Sequence, residues 1–75
     1  MLERVKSYMK RASIEITVPV YNEEKELAQN ITKLYDFCDK NLKTYDWHVT
    51  IADNASADNT PVIASTLTKK YPNLI

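Results

Sequence analysis

A chain of 75 residues, 44% apolar, 27% charged and formally neutral, has room for one small domain. The balanced charge gives no reason to expect a nucleic-acid partner. No apolar run is long enough to cross a bilayer, and no signal-peptide pattern is present.

The charge is unevenly placed. Residues 1–13 form a basic lead carrying Arg4, Lys6, Lys10 and Arg11 against Glu3, and the rest of the chain carries the compensating acid. Leu2, Val5, Tyr8 and Met9 would line one side of a helix there, which suits an anionic membrane surface; a solvated basic tail is the simpler reading. The single cysteine, Cys38, cannot close an internal disulfide, which favours a reducing, cytoplasmic compartment. Glycine is absent altogether, so every tight turn must be made with Asn, Asp, Pro or Ser.

From Ile14 the chain reads as alternating strands and helices. Ile14, Ile16 and Val18 alternate with Glu15 and Thr17, the two-residue period of a strand, and Pro19 should end its pairing. Asn22 is placed to cap a helix whose first turn holds Glu23, Glu24 and Glu26. Leu27, Ile31, Leu34 and Cys38 then step by four, three and four, a core-facing stripe broadened by Tyr35, Phe37 and Leu42, and the helix should run from Glu23 to Asn41. Trp47, Val49 and Ile51 alternate with His48, Thr50 and Ala52 in a second strand. His48 has no partner at metal-ligand spacing and reads as a strand residue at the surface.

Asp53–Asp58 is a loop dense in turn-forming side chains, after which Asp58 can cap a second helix with Pro61 in its first turn. Val62, Ile63, Leu67 and Lys70 or Tyr71 make that helix a short amphipathic one. Tyr71-Pro72-Asn73 stops it, and Leu74-Ile75 begins a third strand. Strands joined by helices of this length are parallel, through right-handed crossovers. The fold class is therefore α/β, in the order β-α-β-α-(β), with an incomplete parallel sheet whose open edge invites self-association.

In such sheets ligands sit beyond the carboxyl ends of the strands. Two loops meet there, Tyr21–Glu24 and Asp53–Asp58. Tyr21 offers an aromatic face, Glu23 and Asp53 are acceptors, and Asn22, Asn54 and Ser56 both donate and accept, a set that suits a nucleobase or a sugar. Asn22, Ser56 and Asp58 serve equally well as caps and turn formers.

The pair of stretches VPVYNEE and ADNASADNT, some thirty residues apart, resembles the opening of the family 2 glycosyltransferases, in particular those that transfer mannose or glucose from a nucleotide sugar to a polyprenyl phosphate. The likeness covers Ile14–Ile75 and implies that residues 14–75 are the nucleotide-binding, N-terminal half of a Rossmann-like, A-type glycosyltransferase domain. It also implies roles. Pro19 and Tyr21 would lie against the base, Glu23 near base or ribose, and Asp53 would accept the ring N–H of uracil or guanine. Asn54 stands where the family often has a second Asp, and Ala55 where it usually has Gly. Ser56, Asp58 and Thr60 match as loop and cap residues.

The whole enzyme implied is a hexosyltransferase using a UDP- or GDP-sugar, with a lipid-linked or glycan acceptor at the cytoplasmic face of a membrane. The divalent metal of that family, magnesium or manganese, is held by an Asp-x-Asp motif on a later strand, and this chain has no such triplet. The resemblance thus implies a fragment that binds no metal, lacks the catalytic base and is inactive alone. The rival is a non-catalytic, truncated module that binds nucleotide or a protein partner.

Overall fold

The structure, a computed structural model, describes residues 11–75. The basic lead, and with it the membrane-surface reading of Leu2, Val5, Tyr8 and Met9, lies outside the described residues but for its last three positions.

Two parallel strands, β1 (Ser13–Val20) and β2 (Asp46–Asp53), run in step from Ser13 opposite Asp46 to Val20 opposite Asp53. Helix α1 (Leu27–Asn41) crosses between them, and helix α2 (Thr60–Lys70) follows β2. The expected third strand has begun: Leu74 bridges Val49 in parallel, the Val49 N–H donates to Asn73 O at 2.8 Å and the Ile75 N–H to Val49 O at 2.8 Å. β2 is thus flanked on both sides.

Pairing does not stop at Pro19 but continues to Val20. The reason is the alternation of the ladder. The Ala12 and Val20 carbonyls accept from the Asp46 and Asn54 N–H groups, so the even-numbered residues of β1 face β2. Pro19 is odd. Its missing N–H falls on the free edge, where proline costs the sheet nothing.

Register also sorts the side chains. Ile14, Ile16 and Val18 lie beside Trp47, Val49 and Ile51 on one face. Both helices pack there, as consecutive right-handed crossovers in one direction require. Val20, Leu27, Ile31, Cys38, Trp47, Val49, Leu67 and Leu74 form the buried core. Cys38 is wholly enclosed and burial pushes its thiol up, so it acts as a small neutral hydrophobe. The opposite face carries Glu15, Thr17, His48 and Thr50, and the Thr50 hydroxyl donates to the Glu15 carboxylate at 3.0 Å. A parallel sheet normally needs both faces covered. Polar residues on the second face are what let this one stand open.

Three expectations about packing are corrected. Leu34 is only half-buried at the rim of the core, and Phe37 and Val62 are 59% and 65% exposed. α1 turns a narrower stripe to the core than the sequence suggested, with Leu27, Ile31 and Cys38 buried and Phe37 projecting to solvent. In their place an aromatic cluster closes the far side. Tyr35 lies edge-on to Trp47 at 5.0 Å and against Tyr71 at 4.4 Å, and its hydroxyl accepts the Asn73 N–H at 3.1 Å. That bond anchors the start of the third strand to α1.

The core predicts a ranking. Ile31→Ala removes a side chain that is 1% exposed and should cost about 2–5 kcal/mol. Leu34→Ala should cost clearly less. Trp47, the one tryptophan, is buried in the same core and its emission reports both melts. Equal losses would show that the rim assignment of Leu34 is wrong.

Candidate functional site: two cross-capped loops at the strand ends

Because β1 and β2 end in register, the chain leaves the sheet twice at one edge. The first loop is Tyr21–Glu26 and the second Asn54–Asn59. Each must turn sharply and start a helix, and each leaves backbone N–H groups with no helical partner.

The two loops satisfy those groups in each other. The Asn22 N–H donates to Ser56 Oγ at 2.9 Å, the Glu23 N–H to Thr60 Oγ1 at 2.8 Å, and the Glu24 N–H to Asp58 Oδ2 at 3.2 Å. In return the Ala57 N–H donates to Asn22 Oδ1 at 2.8 Å and the Asn59 N–H to Glu24 Oε2 at 3.3 Å. The Asn54 N–H closes the row on Val20 O at 2.8 Å.

This corrects the reading of Asn22 as the cap of α1. Asn22 has φ 49°, in the left-handed region, and its side chain spans to the other loop. Residues 23–26 form a turn in which Glu23 O accepts from Glu26 and Leu27, and regular helix begins only at Leu27 rather than Glu23. The sequence marks Asn22 as a turn former but gives no sign of a partner thirty-five residues away.

Asp58 and Thr60 do serve the start of α2. Asp58 Oδ1 accepts the Thr60 N–H at 2.9 Å and also the Thr60 hydroxyl. Thr60 is fully buried although polar, and its hydroxyl is satisfied on both sides. Desolvation pushes the Asp58 carboxyl up, but the donors from Thr60 and Glu24 outweigh it and hold the group below its ordinary value.

Ala55 adopts φ 55°, the left-handed backbone expected to be costly for a residue with a Cβ. In a chain without glycine, these two positive-φ positions are where the turns are forced.

The predicted contact residues fall around this zipper. Pro19 and Tyr21 are exposed at the end of β1, Glu23 is half-buried in the first loop, and Asp53 is exposed at the end of β2. Asn22, Glu23, Glu24, Lys25 and Glu26 line an open depression, to which Glu23 contributes and Pro19, Tyr21 and Asp53 do not. Among the described residues no hydrogen bond joins the side chain of Tyr21 or Glu23 to Asp53. The Asp53 carboxylate is bonded within its own turn: Oδ2 accepts the Ser56 N–H at 3.3 Å and Oδ1 the Ser56 hydroxyl. A carboxylate has about four acceptor positions, so roughly two remain for a ligand. No group of three or more His, Cys, Asp or Glu side chains among the described residues is placed to hold a metal ion.

The model of Glycosyl transferase family 2 matches residues 15–75. Dolichyl-phosphate beta-glucosyltransferase ALG5A of Trichomonas vaginalis is 28% identical over 64 residues, 81% of this chain and 20% of that protein. The chain therefore spans about a fifth of the length of the curated relative it matches. No solved structure matches it.

Two measurements test the loop geometry. Ala55→Gly relieves a left-handed residue that costs roughly 1–2 kcal/mol, partly offset by the greater freedom of glycine in the unfolded chain, and should stabilise the protein by about 1 kcal/mol in a denaturant melt. Destabilisation would contradict the positive φ. The Asp58 link stabilises the fold above the ordinary carboxyl range and is lost as pH falls through the lowered, folded value. Asp58→Asn should flatten the acid side of the stability profile; an unchanged acid side would place that dependence in another carboxylate.

Proposed function

The chain belongs to glycosyl transferase family 2, and on that footing we propose that its two loops hold the base of a nucleotide sugar for hexosyl transfer. The observation that carries the reading is the state of Asp53. It stands exposed at the carboxyl end of a parallel strand with both oxygens fixed by Ser56 and acceptor capacity left over. Uracil and guanine present a ring N–H beside carbonyl oxygens and would donate to such a carboxylate; adenine and cytosine lack that N–H. Tyr21, 59% exposed on the other loop, supplies an aromatic face for the base, and Pro19 and Glu23 flank it. The donor is thus a UDP- or GDP-sugar.

These residues bind and orient; they do not carry the transfer. The charge that develops on a departing diphosphate is normally met by a divalent metal and the acceptor's proton by a base. The donor set of the described residues does not suit a metal, since no three His, Cys, Asp or Glu side chains gather and Asp58 is taken up by Thr60 and Glu24. We assign the magnesium or manganese of the transfer step, and the base, to residues beyond these 75.

The relative named above acts, by its name, on dolichyl phosphate, which supports a polyprenyl-phosphate acceptor; the cytoplasmic face of a membrane as the place of work is our own proposal. No helix among the described residues is long and apolar enough to cross one. The free edge of β1, with its outward backbone groups at Ser13, Glu15 and Thr17, gives the chain a means of self-association, which sedimentation over a concentration series would reveal.

Asp53→Ala tests the central assignment. It removes a hydrogen bond to a charged group, worth roughly 1.5–3 kcal/mol, and should weaken UDP or GDP binding about ten- to hundredfold in a nuclear magnetic resonance titration. ADP and CDP should be little affected. Equal binding of UDP and GDP by wild type and variant would overturn the reading.

A further inference from the structure

We propose that Ser56 is the positioning residue that aims the Asp53 carboxylate at the base and ties its orientation to the loop carrying Tyr21. The inference rests on the reading of Asp53 as acceptor for the base, and it goes further by saying what keeps that acceptor in place.

An exposed carboxylate at a strand end rotates freely unless something holds it, and a rotating acceptor discriminates poorly between bases. Ser56 holds this one at both oxygens. Its N–H donates to Oδ2 at 3.3 Å and its hydroxyl to Oδ1. The direction of the hydroxyl is itself fixed. A serine oxygen carries one proton and accepts at its lone pairs. The Asn22 N–H, at 2.9 Å, takes a lone pair, which leaves the proton for Asp53.

Asn22 in turn is anchored to the second loop by its own side chain on the Ala57 N–H at 2.8 Å. The result is a relay from the end of β1, through Asn22 and Ser56, to the carboxylate at the end of β2. Tyr21 is the residue immediately before Asn22. The backbone that carries Tyr21 and the acceptor the base must reach are therefore linked by one short chain of bonds, and the free lone pairs of Asp53 keep a constant direction relative to that loop. Ser56 itself needs no contact with the ligand. It is half-buried, consistent with a role behind the site rather than in it.

Removing only the Ser56 hydroxyl leaves the carboxylate and its charge intact, so what is lost is discrimination. The test compares UDP with CDP, and GDP with ADP, in wild type, Ser56→Ala, Ser56→Thr and Asp53→Ala, with Trp47 emission confirming the fold of each. Ser56→Ala should reduce the preference for the base bearing the ring N–H by about five- to tenfold, the size of one ordinary hydrogen bond. Ser56→Thr keeps the hydroxyl and should restore it. If Ser56→Ala does not fold, Ser56→Cys keeps the bulk with a weak donor and should show the same loss. An unchanged preference in Ser56→Ala, beside a lost preference in Asp53→Ala, would overturn the positioning role and leave the base reading standing. Equal weakening for both members of a pair in Ser56→Ala would also overturn it, since that is what a purely structural serine produces. A preference that survives Asp53→Ala, or is missing from wild type, would overturn the base reading itself.

Discussion

The fold depends on a constraint of backbone hydrogen bonding. Two parallel strands ending in step must both turn into helices at the same edge, and each turn exposes N–H groups that no helix can satisfy. Most proteins place a cap within each turn. Here the caps are exchanged. Thr60 and Asp58 take the N–H groups of Glu23 and Glu24, and Glu24 and Asn22 take those of Asn59 and Ala57. Each cap is worth about 1 kcal/mol in an ordinary helix, and here each also ties residues some thirty-five positions apart. Neither helix start is complete without the other, so the two crossovers are joined into one cooperative unit at this end as firmly as the core joins them in the middle.

The same exchange explains local features that propensity alone would not produce. α1 begins four residues later than its acidic run suggests, after a turn over residues 23–26 whose first amides bond to Thr60 and Asp58 across the loops. Asn22 and Ala55 sit at positive φ because the loops must approach closely without glycine. Asparagine tolerates that backbone and uses its side chain as a link; alanine only bears the strain. At the far end of the sheet the work is done by size instead of polarity, with Tyr35 packed on Trp47 and Tyr71 and holding Asn73 through its hydroxyl.

The strands and their parallel order could be read from the sequence because period and chain length leave few choices. Ile14, Ile16 and Val18 against Glu15 and Thr17 specify a strand with one apolar face, and a helix between two strands forces a crossover. The start of a third strand at Leu74 was equally legible from the stop at Tyr71-Pro72-Asn73. What was not legible lay between elements. Whether Phe37 is covered depends on what packs against that flank of α1, and whether Asn22 caps its own helix or bridges to Ala57 depends on a residue thirty-five positions on. Pro19 falls between these cases: its inability to donate is plain in the sequence, but the side of the ladder it faces is fixed only by register. The Asp-Asn-Ala-Ser-Ala-Asp stretch was legible as a strand-end loop, but the bond between Asp53 and Ser56 within it was not.

That bond separates two roles within one motif. Asp58 and Thr60 have their polar atoms consumed by the fold: the threonine is buried, and the carboxylate serves Thr60 on one oxygen and Glu24 on the other. Asp53 is also bonded, but only to Ser56, three residues away, and it remains exposed. A bond within so short a segment adds little to the joining of distant elements. Its physical effect is to fix a direction. The acidic side chains at the end of β2 and in the loop after it thus divide the work: Asp58 closes the structure, and Asp53 is held in place by Ser56 while staying exposed, which is what the proposed recognition of a base requires.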